Sequence, residues 1–148
     1  MEVNFWKLSQ GKDFFKAGDI LDSISNGIVY VHKDTKAKGR SITPQAKNFV
    51  EAPVGDYFYL THGNYGIYCL GQFTGPANLF SAKGEGWLDR PFRYIKSSLE
   101  INYYEGRQKH WTPNDNSTFI KVPAAEISLF EEYILQPHFD FKLADFGL

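Results

Sequence analysis

The sequence lacks several features that would point directly to an activity. It holds a single cysteine, Cys69, among 148 residues, which excludes an internal disulfide and gives no support to a cysteine-based metal site. No apolar stretch approaches the length that spans a bilayer, and the N-terminus has no basic segment followed by an apolar run. These absences predict a soluble, cytoplasmic protein that does not enter a membrane.

Motifs for catalysis are also missing. The four histidines show no metal-ligand spacing, and no serine lies in a Gly-x-Ser-x-Gly elbow. The tripeptide Asp145-Phe146-Gly147 matches the kinase metal-binding motif in letters only, because no glycine-rich loop or catalytic loop accompanies it. The sequence therefore predicts a recognition domain with no catalytic residue, no metal and no cofactor.

Net charge is close to balanced, at −1, which argues against a uniformly basic nucleic-acid surface. Basic residues are nevertheless concentrated between positions 33 and 47, whereas acidic residues dominate the C-terminal part. One edge of the molecule is thus expected to attract phosphate. The candidate phosphate contacts are Lys33, Lys36, Lys38, Arg40, Lys83 and Arg90. A solvated lysine-rich loop is the common alternative.

What the chain does contain is a series of aromatic and β-branched runs separated by turn residues. They predict strands at 3–8, 27–32, 56–61, 66–73, 91–96 and 118–122, and helices at 13–25, 43–51 and 123–136. The expected fold is α+β: a small curved sheet or open barrel of about six strands flanked by two or three helices. We expect one domain over 1–136, with 137–148 as a last edge strand or a linker to further domains.

The connection at 62–66 carries two glycines and an asparagine that tolerate positive φ. It predicts an antiparallel hairpin between the flanking strands. Two of the three tryptophans are less informative than the third. Trp6 is expected in the core, and Trp111 either lies on a polar rim or packs a loop against the sheet.

Phe80 and Trp87 lie in a polar, glycine-rich stretch close to Lys83 and Arg90. Two large rings in such a loop favour an aromatic cage, because ring faces hold a flat base at about 1–3 kcal/mol per contact. Alternatively, both rings cap the open end of the barrel. Ser9 and Gln10, just past the first strand, either hydrogen-bond a base edge or form a turn.

Four stretches carry a resemblance to a known family. They are 5–11 (FWKLSQG), 27–32 (GIVYVH), 66–76 (GIYCLGQFTGP) and 86–95, in which Gly86-Trp87 precedes Phe92-Arg93-Tyr94-Ile95. The order of elements resembles the PUA-like modified-base readers of the EVE and YTH type, and most closely the DNA-recognition domains of McrBC-type restriction systems.

That resemblance implies a site as well as a fold. Phe80 and Trp87 would form two walls of a cage, with Ser9 and Gln10 approaching a flipped base. Relatives often place a tryptophan just after the second strand; here the chain offers His32 and Lys33, so either His32 stacks or the cage is looser. Tyr30, within the second strand, is the fourth candidate for the cage.

The implied function is a non-enzymatic module that recognises methylated cytosine or adenine flipped out of duplex DNA. It would target a modification-dependent nuclease, in assembly with or fused to an AAA+ GTPase motor and a nuclease subunit. The alternatives are a reader of modified RNA, a small-molecule or protein-interaction domain on the same fold, and an enzyme whose site the sequence hides.

Overall fold

The computed structural model describes residues 2–35 and 45–148, which form a six-stranded sheet. The strands are β1 (Phe5–Ser9), β2 (Ile28–His32), β3 (Tyr57–Thr61), β4 (Ile67–Phe73), β5 (Trp87–Ser97) and β6 (Phe119–Lys121). Their order across the sheet is β2-β5-β4-β3-β1-β6. The sheet curls into a half-barrel flanked by helices, so the prediction of an α+β fold with about six strands is confirmed.

Strand pairing fixes which ends of the strands meet. β1 runs parallel to β3, with Phe5 opposite Tyr57, whereas the other neighbours are antiparallel. The predicted hairpin between β3 and β4 is confirmed. Gly63 takes a φ of +54°, and the His62 amide donates to the Gly66 carbonyl at 2.9 Å.

Two apolar cores lie on opposite faces of the sheet, because successive side chains of a strand point to opposite sides. The first core combines strand residues such as Trp6 and Phe58 with Ile20 and Phe49 from the helices. The second core combines Phe5 and Tyr59 with residues of the C-terminal helical segment: Phe130, Ile134, Leu135 and Phe139.

The two remaining tryptophans are both buried in these cores. Trp6 stacks on Phe119 with ring centroids 4.3 Å apart, and its Nε1 donates to the Asp56 carboxylate at 2.8 Å. Trp111 is fully buried and donates to Glu126 at 2.9 Å. Trp6 is a core residue as expected, and Trp111 packs rather than lying on a rim.

Two helices cover the first core. Helix α1 (Ala17–Asn26) begins four residues later than predicted and ends at Gly27, whose φ of +66° suits a left-handed C-cap. Helix α2 (Gln45–Glu51) ends ahead of Pro53, as expected. The predicted start of α2, at positions 43 and 44, lies outside the described residues.

The C-terminal helical segment is longer than predicted. A 3-10 turn (Ala124–Glu126), helix α3 (Ile127–Phe130), a π-helical turn (Glu131–Leu135) and helix α4 (Gln136–Phe139) follow one another without a break. Pro137 does not end the segment, because it lies in the first turn of α4, where a missing amide donor is tolerated. The segment ends at Asp140, which has a φ of 55°.

The tail does not form the edge strand considered above. A 3-10 turn (Leu143–Phe146) lies there instead. The Phe146 ring lies 5.0 Å from that of Phe5 and 5.0 Å from that of Tyr57, edge-on to both. The last residues thus extend the second core, and a domain boundary at 136 remains a prediction.

Candidate functional site

An open cleft of about 650 Å³ lies where several chain segments leave the sheet. One side is built from the end of β2 and the start of β5, and the floor from the end of β1 and segment 113–118. The β3–β4 hairpin and Tyr103 complete the lining. Trp87, Tyr30, His32 and Ser9, all predicted site residues, line this cleft together.

Trp87 is the first residue of β5, not a loop residue as predicted. It pairs with His32 across the antiparallel β2–β5 ladder. Its ring makes edge-to-face contacts with His32, at 5.1 Å between centroids, and with Phe14 and Phe15, both at 5.5 Å. Strand pairing and three rings therefore fix the orientation of Trp87.

Gly86 makes the approach of Trp87 to His32 possible. It has a φ of +82°, and a Cβ at this position would lie 2.6 Å from His32 Nε2. Its carbonyl accepts from the Lys33 amide at 2.7 Å, which ties the loop before β5 to the end of β2. His32 Nδ1 in turn accepts from the Asp34 amide at 3.2 Å.

Three rings that line the cleft lie close to a single ammonium group, that of the exposed Lys83. Lys83 Nζ lies 4.4 Å from the ring centroid of Phe15, 4.9 Å from that of Trp87 and 5.5 Å from that of Tyr30. We call Phe15, Tyr30 and Trp87 the aromatic box. Burial, and secondarily Asp89, raises the pKa of the Tyr30 phenol, so this residue is uncharged at neutral pH.

Gln10 does not face the cleft as predicted. It is fully buried; its Nε2 donates to Ser23 Oγ at 3.1 Å, and its Oε1 accepts from the Tyr30 amide at 3.0 Å. Both ends of the amide are therefore occupied within the fold, and Gln10 positions β2. Ser9 does line the cleft, where its Oγ accepts from the Gly63 amide at 3.2 Å.

Phe80 and Arg90 also lie apart from their predicted roles. Phe80 is 90% exposed and does not line the cleft. Arg90 is 1% exposed and donates to the carbonyls of Gly75 and Phe49 at 2.8 and 2.9 Å. Burial lowers the pKa of its guanidinium, against the opposing effect of Asp56. Such a buried, fully engaged side chain holds the fold and does not reach phosphate.

The other predicted phosphate contacts are divided. Lys33 is exposed just beyond β2. Lys83 is directed into the aromatic box. Lys36, Lys38 and Arg40 lie outside the described residues, so their role remains a prediction.

Sequence reasoning missed the far rim of the cleft. The Tyr65 and Tyr103 rings lie 5.7 Å apart, and the side chains are 43% and 61% exposed. Lys12 Nζ lies 5.7 Å from the Tyr65 ring, and its hydrogen bond with Tyr65 raises the pKa of the ammonium. We call Lys12, Tyr65 and Tyr103 the tyrosine rim. The signal was present, since Tyr65 lies in the predicted hairpin turn, where an aromatic side chain is displayed to solvent.

A buried lysine holds the floor of the cleft. Lys7 is fully buried in β1 and donates to the Asp115 carbonyl at 2.8 Å and to Ser117 Oγ at 2.9 Å. Burial lowers the pKa of its ammonium to about 7, although Asp115 opposes this shift. Because Asp115 and Ser117 line the cleft, Lys7 fixes the segment that forms the floor. A lysine inside an aromatic strand was the sequence signal for it.

Residues 2–35 and 45–148 show neither a metal centre nor a membrane-spanning helix. Within these ranges no group of three or more His, Cys, Asp or Glu side chains is arranged to hold a metal ion. Nor does the described part of the chain contain a helix with the length and apolar character to cross a membrane.

By sequence, the chain matches no protein-family model and no curated protein. By structure, it is similar to the YTH domain of CPSF4 from Toxoplasma in apo form, with a TM-score of 0.59 and 14% identity, over 90% of this chain and 87% of that chain. The fold is YTH-like. The YTH domain-containing protein Mmi1, solved in complex with RNA, is also similar, with a TM-score of 0.54 and 11% identity over 91% and 85% of the two chains.

The chain is also similar to a protein from Pseudomonas putida, with a TM-score of 0.52 and 15% identity over 87% of this chain and 98% of that chain. These identities establish the architecture alone. The YTH part of the sequence resemblance is thereby confirmed at the level of the fold, and its McrBC-type part remains a prediction.

Proposed function

We propose that this chain is a non-enzymatic reader of a modified base in nucleic acid, and that the cleft beside Trp87 receives the base. The observation that carries the proposal is the aromatic box: three rings from separate segments meet at one point on the wall of an open cleft. Stacking on such rings stabilises a bound base by about 1–3 kcal/mol per contact.

The cleft also offers polar groups for the edge of a base. Ser9, Asn116 and Thr118 line it close to the floor that Lys7 fixes. A base held between rings would be distinguished from its unmodified form through the fit of one methyl group and through these edge contacts. Recognition of this kind needs positioned donors and acceptors but no catalytic group.

The tyrosine rim gives the cleft a second stacking surface. Tyr65 and Tyr103 line the same cleft as the aromatic box, with the ammonium of Lys12 beside Tyr65. A neighbouring nucleotide of the same strand would stack there while Lys12 meets a phosphate. This arrangement favours an unpaired strand, whose bases are free to turn in two directions.

We propose RNA as the strand, because the YTH domain-containing protein Mmi1, whose fold is similar, was solved in complex with RNA. The duplex-DNA version, in which the chain directs an AAA+ GTPase motor and a nuclease to methylated DNA, remains a prediction. It would require that the base be extruded from the duplex at a cost of a few kcal/mol. Both versions use the same aromatic box.

Fluorescence anisotropy tests the proposal. The probes are single-stranded RNA and duplex DNA, each carrying adenine, N6-methyladenine, cytosine or 5-methylcytosine at one position, at two salt concentrations. We expect tighter binding of one modified RNA than of its unmodified partner. Preference for a modified duplex would establish the DNA version instead. Equal binding of all strands, or none, would contradict the reader.

Trp87→Ala is the decisive variant, and Phe80→Ala is its matched control. Loss of Trp87 should weaken the modified strand by about 5- to 150-fold, which corresponds to one stacking contact. Phe80→Ala removes an exposed aromatic ring from the neighbouring loop, outside the cleft, and should leave binding unchanged. Equal losses in both variants would remove the box from the interface.

A further inference from the structure

The aromatic box already holds a ligand that belongs to the chain itself. Phe15 lies before α1, Tyr30 on β2 and Trp87 on β5, yet all three ring centroids lie within 4.4–5.5 Å of Lys83 Nζ. A cation within about 6 Å of a ring centroid is attracted by the negative face of the ring. One exposed ammonium thus lies beside all three rings of the aromatic box, although Lys83 itself is not among the residues that line the cleft.

The β4–β5 loop delivers Lys83 to this place by a compact turn. The Lys83 amide donates to Ser81 Oγ at 3.1 Å, and the Gly84 amide donates to the Ser81 carbonyl at 3.3 Å. The Trp87 amide then donates to the Gly84 carbonyl at 3.2 Å. The turn therefore starts beside Lys83 and ends at Trp87, so that the lysine folds back over the ring that follows it.

Backbone hydrogen bonds hold the ends of this loop, between Asn78 and Asp89 and between Gly86 and Lys33, but its apolar side chains contribute little. Leu79 and Phe80 are 55% and 90% exposed, so the large apolar side chains of the loop do not anchor it in a core. Gly84 and Gly86 have φ values of +141° and +82°, backbone conformations that glycine adopts without a steric penalty. Release of Lys83 would therefore disturb few other contacts.

We propose that Lys83 is an internal ligand of the aromatic box, and that a base stacking on these rings competes with its ammonium. The inference rests on the proposed function for the identity of the entering group, and it assigns Lys83 a role opposite to the phosphate contact expected from the sequence. A phosphate contact adds to affinity, whereas an internal competitor subtracts from it. The sign of one mutational effect therefore separates the two roles.

The test measures binding of a single-stranded RNA carrying one N6-methyladenosine to four variants. Lys83→Ala removes the side chain, and Lys83→Met keeps an unbranched stem without charge. Both should bind about two- to fivefold more tightly than the wild type, the effect of losing an exposed cation–π contact. Lys83→Arg retains a cation for the rings and should bind like the wild type.

Lys96→Ala is the matched control. Lys96 Nζ also lies over a ring, 4.7 Å from the centroid of Phe141, but outside the cleft. Its loss removes the same charge and a similar contact, and should not tighten binding. Weaker binding by Lys83→Ala and Lys83→Met, with a reduced salt dependence, would establish a phosphate contact and overturn the proposal. Unchanged affinity would overturn it as well.

A second measurement needs no nucleic acid. Tetramethylammonium is added to ¹⁵N-labelled protein, and the indole N–H signal of Trp87 is followed by NMR, with Trp6 and Trp111 as internal references. Lys83→Ala should respond at lower probe concentration than the wild type, because its box is empty. Identical responses would show that Lys83 does not occupy the rings. The NMR result does not depend on RNA binding. A failure to bind any RNA would contradict the proposed function and would leave the role of Lys83 to the NMR measurement.

Discussion

His32 and Trp87 lie opposite each other across the β2–β5 ladder, with ring centroids 5.1 Å apart and planes at 86°. The histidine edge thereby supports the tryptophan ring from the neighbouring strand. His32 thus acts as a positioning residue of the wall, where sequence reasoning considered it as a stacking residue. The contact exists only because the residue before Trp87 is a glycine.

Gly86→Ala tests this dependence. A Cβ here would lie 2.6 Å from His32 Nε2, and the alanine would have to adopt a φ of +82°. We expect the free energy of unfolding to fall by about 1–3 kcal/mol, together with a loss of base discrimination. Gly11→Ala is the control, because a Cβ at that position would meet no atom within 4 Å. Urea unfolding of the two variants measures the difference, and equal stabilities would contradict it.

Tyr103→Ala should weaken long ligands selectively. If the tyrosine rim stacks a neighbouring nucleotide, the dissociation constant of a five-nucleotide RNA should rise by about 5- to 150-fold, whereas that of the free modified nucleoside should not change. Isothermal titration calorimetry with both ligands decides this. Tyr94→Ala, at 46% exposure on β5 and outside the cleft, is the control. Equal weakening of nucleoside and strand by Tyr103→Ala would place Tyr103 in the base site itself.

Arg90→Ala should destabilise the fold and leave the salt dependence of binding unaltered. Its loss removes the donors to the Gly75 and Phe49 carbonyls, and each buried group left unpaired costs about 1–3 kcal/mol. Thermal unfolding reports the stability, and the slope of affinity against salt reports phosphate contacts. Arg93→Ala, at an exposed position of the same strand, should show little loss of stability. A smaller salt slope for Arg90→Ala would restore its predicted contact with phosphate.

Lys7 should make stability depend on pH. The folded state lowers its pKa from 10.5 to about 7, so between these values the unfolded chain binds more protons than the folded one. The free energy of unfolding therefore rises with pH across this window. Below about pH 7 Lys7 is protonated in both states, so its titration no longer changes the free energy of unfolding. Burial of the ammonium is the dominant cause.

Lys7→Met should remove this dependence. Urea unfolding at pH 7 and pH 9 gives the wild-type increase, and the same increment should be smaller in the variant. Lys16→Met, at an exposed position, is the control and should behave as the wild type. An unchanged increment in Lys7→Met would show that other groups titrate in this range.

The sequence was sufficient for the parts of the fold that local patterns determine. The β3–β4 hairpin follows from the turn chemistry at 62–66, and the six strands follow from aromatic and β-branched runs separated by turn residues. The start of β5 was missed because Asp89 and Arg90 suggest a loop. Arg90 is accommodated in a buried strand only through carbonyls at positions 49 and 75, a long-range relationship that no local pattern contains.

The candidate site was only partly predictable for the same reason. Trp87 was predicted as an aromatic residue in a glycine-rich loop, Ser9 as a polar residue just past the first strand, and Tyr30 and His32 through the family resemblance. Phe15 was assigned to a helix, whereas α1 begins two residues later and leaves its ring at the box. Phe80 was wrongly placed in the site, because an aromatic residue in a polar loop does not show whether the loop directs it toward the cleft or toward solvent.

The parallel pairing of β1 with β3 has a consequence for how such domains diversify. Their chain directions bring Ser9 and the β3–β4 turn to the same border of the sheet, where the segment that precedes β6 also lies. Much of the ligand-facing surface is thus carried by short connections, while the two cores are built by the strands and helices between them. A lineage can therefore exchange the connections, and with them the preferred ligand, without rebuilding the scaffold. The architecture is correspondingly similar to that of solved structures with which the chain shares only 11–15% identity.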